Sequence, residues 1–277
     1  MIKDVILNLE RNKSRDSVRD YAITVARTFD AHLAGVAFAD GANIPVSLMP
    51  EFPHAVIADI LAENKEAARS AIERFEAAVK GSLLSVEHRL VTQSTLGAPA
   101  TFSAMARRYD LSVVMQSDNE NGVNNDILIE ATLFESGRPV IIVPYIQKEG
   151  LKLDRIVCCW DGSRAAARAI NDALPLLQKA RAVELLIVTN EKTGSEREIR
   201  GVEIGSHLAR HGIKVEVEIL PATDIDVANV ILSRVAECSA NMIVMGGYGH
   251  SRLREFVLGG ATRGVLTAMT VPVFISH

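Results

Sequence analysis

The chain has 277 residues, 48% of them hydrophobic and 23% charged, with a formal net charge of −4. That mild acidity argues against a standing nucleic-acid partner, which demands a clustered basic surface, and the 5% aromatic content leaves few rings for base stacking. Cys158, Cys159 and Cys238 are too few and too poorly spaced for a disulfide framework or a zinc site, and no apolar run approaches the roughly 18 residues of a membrane span.

This length suits two ordinary domains with real cores. The N-terminus turns charged at Glu10-Arg11 before a signal-peptide core can form, so a cytoplasmic protein with reduced, buried thiols is expected.

In chain order, Val5-Ile6-Leu7-Asn8-Leu9 reads as a buried strand, and residues 14–29 place Val18, Ala22, Val25, Ala26 and Phe29 at helical spacing. A second strand covers 33–38. A loop carrying Pro45, Pro50 and Pro53 leads to an Ala- and Glu-rich helix over 58–79. Residues 86–91 alternate like a third strand, and 99–109 form a helix that accepts Pro99 in its first turn. Strands over 113–115 and 140–143 flank a helix near 128–135.

After Gln147-Lys148-Glu149-Gly150 the order begins again. Strands are expected at 156–160, 184–188, 214–220, 242–245 and 271–275, and helices at 165–179, 199–211 and 227–238, with a last helix opened by Gly259-Gly260-Ala261-Thr262.

Both halves share one β-α-β-α-β-α-β-α-β order at a period of about 150 residues, which indicates a duplication. Local matches pair Ser112-Val113-Val114-Met115 with Met242-Ile243-Val244-Met245, and Arg138-Pro139-Val140 with Val271-Pro272-Val273. Strands alternating with helices imply α/β domains with parallel sheets, right-handed crossovers and helices on both faces. Ligands of such sheets sit beyond the carboxyl ends of the strands, where strand order reverses. In each half that is the end of the first and fourth strands.

The stretch 245–262, M-G-G-Y-G-H-S-R-L-R-E-F-V-L-G-G-A-T, is the richest in chemistry. Gly246, Gly247 and Gly249 allow a tight turn and close approach of backbone N–H groups to an anion, and Gly259-Gly260 opens a helix N-terminus. From spacing alone the alternatives are a phosphate cradle and two turns of an α/β domain.

The second half resembles the universal stress protein family, and the whole chain looks like a tandem member, with a degenerate domain over 1–148 and a nucleotide-binding one over 152–277. The resemblance rests on Trp160-Asp161-Gly162-Ser163, on Gly246-x-x-Gly249 followed after nine residues by Gly259, and on Thr270-Val271-Pro272-Val273. It implies two Rossmann-like domains with five-stranded parallel sheets in the order 3-2-1-4-5, paired through their last strands as a covalent pseudo-dimer. A homodimer of the tandem and an unknown protein partner are further expectations.

The resemblance also implies ATP or another adenine nucleotide, with or without Mg²⁺, as ligand of a stress-response switch. Asp161 would bond the adenine or ribose, Val188 would line the base pocket, and Met245 and Gly246 would back the adenosine. Gly249 and His250 would approach the phosphates, while Gly259, Gly260, Ala261 and Thr262 would offer backbone N–H groups and a Thr262 hydroxyl. One departure is Gly260, which stands where the family usually has Ser or Thr. A slow ATPase or phosphotransferase and a ligand-free scaffold are the alternatives; no positioned base or Lys supports the former.

In the first half Glu10 stands in the place of Asp161, and Asp118, Glu120 and Asp126 would repel phosphate. Ile127, Leu128 and Ile129 replace the small residues of the second turn and are expected to fill its space, so this copy is expected to have lost ATP.

Glu203, His207 and His211 share a helix face at i, i+4 and i+8, read as a solvated surface without a metal because no third clear ligand accompanies the two His. No G-x-x-x-x-G-K-[ST], G-x-S-x-G or first-strand G-x-G-x-x-G is present. Cys159 beside Asp161 is expected to be inert, since a negative neighbour raises a thiol's pKa.

Overall fold

The apolar runs are near-continuous because parallel strands are buried on both faces. The computed structural model describes residues 1–11, 16–39, 53–92, 97–118, 124–189, 194–222, 226–247 and 260–277. The first half runs β1 (Asp4–Asn8), α1 (Ser17–Phe29), β2 (His32–Phe38), α2 (His54–Val79), β3 (Val86–Val91), α3 (Ala98–Ala106), β4 (Leu111–Met115), α4 (Asp126–Glu135) and β5 (Val140–Val143). The second repeats it as β6 (Arg155–Cys159), α5 (Arg164–Leu177), β7 (Ala182–Thr189), α6 (Gly194–Arg210), β8 (Val215–Pro221), α7 (Val227–Glu237), β9 (Met242–Gly246), α8 (Gly260–Ala268) and β10 (Val273–Ser276).

One 10-stranded sheet results, in the order β3-β2-β1-β4-β5-β10-β9-β6-β7-β8. Each half has the expected 3-2-1-4-5 order, all parallel, and the halves meet where β5 and β10 pair antiparallel, Phe274 opposite Ile141. The two expected sheets are therefore one.

Two hydrophobic cores sandwich the sheet. One packs α1, α2, α5 and α6 against residues such as Leu7, Val113, Cys158 and Val244. The other packs α3, α4, α7 and α8 against Ile6, Val114, Val157 and Ile243. Both cores run through the two halves, so the seam is core rather than a wetted boundary. Helix starts follow local capping chemistry: Asp16 accepts the Arg19 amide, and Ser163 accepts the Ala166 amide. Among the described residues no helix is long and apolar enough to cross a membrane.

The structure corrects one alignment of the repeat. Val5 of β1 lies opposite Leu111, and its counterpart Ile156 lies opposite Met242, so Leu111 rather than Ser112 corresponds to Met242. Face parity agrees: Leu111 and Val113 share a core with Met242 and Val244. A one-residue slip would exchange the faces. The register is locked by a repeated cap. The Asp110 carboxylate accepts the amides of Lys3 and Asp4 at 2.7 and 3.1 Å, and the Asn241 side-chain oxygen accepts those of Asp154 and Arg155 at 3.0 and 3.1 Å. Met115 thus corresponds to Gly246, and Gln116 to Gly247.

Candidate nucleotide site in the second half

β6 lies between β7 and β9, so its carboxyl end is where the crossovers of this half change direction. Four elements deliver expected residues to that edge. Asp161 follows β6, Val188 is near the end of β7, Met245 and Gly246 end β9, and Gly260 to Thr262 open α8.

Asp161 is exposed, and its Oδ1 accepts the Ser163 amide at 2.8 Å, closing a turn through Gly162 at φ 78°. Glycine suits that left-handed backbone. The turn also sets Ser163 as the cap of α5, so Asp161 has a local structural task besides any ligand. Val188 and Ala261 are half-buried, Met245 is buried, and Gly260 is exposed with no atom within 4 Å of where a Cβ would stand.

Three expectations need correction or fall elsewhere. Gly246 and Gly247 were assigned to anion approach, yet their space is used by packing. A Cβ on Gly246 would stand 2.4 Å from the Ala166 nitrogen and 2.5 Å from the Ala165 carbonyl carbon, because α5 begins directly against the backbone. A Cβ on Gly247 would stand 2.9 Å from Leu133 Cδ2, in the other half. Thr262 is buried, 5% exposed, where an accessible hydroxyl was expected. Gly249, His250 and Gly259 lie outside the described residues.

The equivalent place in the first half is filled. Glu10 is 8% exposed, and its Oε1 accepts a bond from Asn125 Nδ2 at 3.2 Å. The same amide donates to the Met115 carbonyl, and Arg74 Nη2 donates to the carbonyls of Glu10 and Arg11. Of the three residues expected to fill the second turn, Leu128 and Ile129 are buried in the core while Ile127 is 62% exposed, and Asn125 supplies the polar contact to Glu10. Asp118 is buried, and Asp126 is engaged by the Ser117 hydroxyl.

Cys158 and Cys159 point to opposite faces, one in each core. Burial, aided by the Asp161 and Glu184 carboxylates, pushes the Cys159 thiol up to about 12, so it stays protonated at neutral pH. The imidazoles of His207 and His211 stack edge to face at 4.7 Å. Among the described residues no group of three His, Cys, Asp or Glu is placed to hold a metal ion.

The sequence reading missed a buried ion-pair cluster on the opposite end of this half. Glu184 of β7 is 1% exposed and takes a two-point bond from Arg234, at 2.8 and 2.9 Å, with Arg155 at 3.4 Å. A Glu interrupting an apolar strand was the available signal.

Residues 152–277 match the model of the universal stress protein family. A curated universal stress protein of Synechocystis is 29% identical over 140 residues, covering 49% of this chain and 46% of that protein. The chain thus spans about half the length of the curated relative it matches. At the level of fold the likeness extends over both halves. A universal stress protein structure from Archaeoglobus fulgidus aligns with a TM-score of 0.72 at 17% identity, covering 98% of this chain and 97% of that one. A protein of unknown function from Pseudomonas aeruginosa aligns with a TM-score of 0.66 at 15% identity, covering 99% and 92%. The tandem, Rossmann-like α/β fold is therefore shared along the whole chain.

Proposed function

We propose that the universal stress protein domain over 152–277 binds an adenine nucleotide, ATP or a close relative, and that binding acts as a stress-response switch read by a protein partner. The observation that carries this reading is the contrast between the two copies of one pocket. At the carboxyl end of β6 the acid Asp161 is exposed, as is Gly260 at the start of α8, whereas the Asp161 counterpart Glu10 is buried and bonded to Asn125.

Asp161 accepts hydrogen bonds from the ribose or adenine, Val188 lines the base, and Met245 with Gly246 forms the floor. The N-terminus of α8, with Gly259, Gly260 and Ala261, takes the phosphates, where free amides and the helix dipole favour an anion. Gly249 and His250 belong to the same reading. Mg²⁺ would arrive with the nucleotide and would help neutralise its phosphates. The domain over 1–148 is the copy without nucleotide, and the ligand acts by shifting the populations of states that a partner distinguishes.

Calorimetric titration of the whole chain with ATP tests the reading. Asp161→Ala is expected to weaken ATP binding about tenfold, the worth of a hydrogen bond to a charged group. Glu10→Ala leaves the affinity unchanged while lowering stability. Trp160, the chain's one tryptophan, precedes Asp161 and supplies an independent fluorescence signal. Absence of any ATP binding by the wild type sinks the proposal.

Gly260→Ser is a gain-of-affinity prediction. The position has room for the side chain and a backbone that any residue accepts. Serine restores a hydroxyl toward the phosphates and costs a helix less than glycine does. ATP affinity is expected to rise roughly threefold, as one neutral hydrogen bond allows. A fall in affinity would show that the α8 start does not face the phosphates.

A further inference from the structure

α8 ends without a glycine cap, and like any helix it leaves its last carbonyls without intrahelical partners. Two of them, those of Leu266 and Thr267, accept bonds from Gln116 Nε2 at 2.8 and 3.1 Å. Gln116 comes from the other half of the chain, just past β4, and is 3% exposed. Both neighbours of its amide are carbonyls, which fixes the NH₂ toward the helix. Its Oε1 is buried with no partner among the described residues, so the side chain is held there at a cost in desolvation.

The residue at the equivalent point of the second half is Gly247, and the two halves use this point differently. Gln116 reaches the end of α8, while Gly247 leaves room for Leu133 of α4. The loop that carries Gln116 also carries Ser117, whose hydroxyl accepts the Asn125 amide, and Asn125 in turn bonds Glu10. One loop thus touches both the start of α4, through Ser117, and the carboxyl end of α8, through Gln116. The opposite end of α8 is the exposed Gly260 start.

We propose that Gln116 is a positioning residue for the nucleotide site: by holding the carboxyl end of α8 it fixes where the amides at the helix start meet the phosphates, and through it the first half sets the affinity of the second. This rests on the proposed nucleotide reading. A helix is stiff along its axis, so a displacement at one end of this short element, nine residues long, is carried to the other.

The test uses the full chain with Gln116→Met, which keeps the side-chain length, removes the donor and also removes the unpartnered oxygen. Gln116→Glu, which sets a carboxylate against the two carbonyls, serves as the second variant. Two readouts are taken. In ligand-free protein, hydrogen exchange of the α8 amides is expected to accelerate about fivefold in Gln116→Met, the equivalent of one net hydrogen bond, and more in Gln116→Glu. In titrations, ATP affinity falls by a similar factor while adenosine affinity stays unchanged, because adenosine does not use the helix start. Equal weakening of ATP and adenosine, or unchanged exchange in α8, overturns the proposal. If the wild type binds neither ligand, the nucleotide reading fails, and the exchange data still decide whether Gln116 holds the helix.

Discussion

Replacing Glu184 by alanine is expected to destabilise the protein by about 3–5 kcal/mol, the usual cost of breaking a buried ion pair from one side. The carboxylate is 1% exposed and accepts two bonds from Arg234 and one from Arg155. Arg234 and Arg155 are only partly exposed, at 24% and 30%, so neither is fully rehydrated when the anion is removed. Arg234 keeps weaker company in Glu218 at 3.8 Å and Glu237 at 3.9 Å. Those contacts soften the loss without replacing a two-point bond. Urea unfolding measures the difference, and the midpoint on heating should fall by about 10 °C for a chain of this size. A double replacement, Glu184→Leu with Arg234→Leu, should recover much of it, because a packed apolar pair at such a site is often as stable as the ions. A loss below about 1 kcal/mol in Glu184→Ala would mean that the cluster is surface-like in strength.

Gly246→Ala is the second large expectation, and it separates two roles that glycine spacing alone cannot. The added methyl group would meet backbone atoms of α5 at 2.4 and 2.5 Å, well inside any tolerable contact. Backbone cannot rotate aside, so α5 must shift as a body, which overpacking data put at about 1–3 kcal/mol. The Asp161 turn and the Ser163 cap sit at the start of that helix, so ATP affinity should fall together with stability. Gly247→Ala is the milder comparison: its neighbours are side chains, Leu133 Cδ2 at 2.9 Å and Ile275 Cδ1 at 3.2 Å, instead of backbone, so a smaller loss of stability is expected. If Gly246→Ala reduced affinity with no change in unfolding, the glycine would be serving the ligand rather than the helix.

The architecture was legible because parallel strands announce themselves as apolar runs, and because a duplicated order gives each half a check on the other. The pairing of 140–143 with the chain's last strand was implied by the family resemblance, while its antiparallel direction shows only in the structure. The register between β4 and β9 was not legible. Ser-Val-Val-Met and Met-Ile-Val-Met match by hydrophobicity in more than one alignment, and the decisive residues are the polar Asp110 and Asn241, whose shared task as caps shows only in space. The Glu184 cluster was hidden by separation, its partners standing 29 and 50 residues away. For the candidate site, only the placement of residues can be compared with the sequence. Asp161 and Gly260 arrive at one sheet edge, while the buried Thr262 and the packing duty of Gly246 follow from how helices settle on strands, which spacing does not record.

The antiparallel seam between β5 and β10 has a consequence for how this chain can change over generations. In an assembly of two identical copies, every mutation appears twice, so a side chain that suits one copy must also suit the other. A glutamine at position 247 to match Gln116 would collide with Leu133, and a glycine at 116 to match Gly247 would leave the end of α8 uncapped. Joining the copies in one gene releases each position from its twin. One copy is then free to acquire side chains such as Gln116, while the other keeps the glycine that its own packing needs.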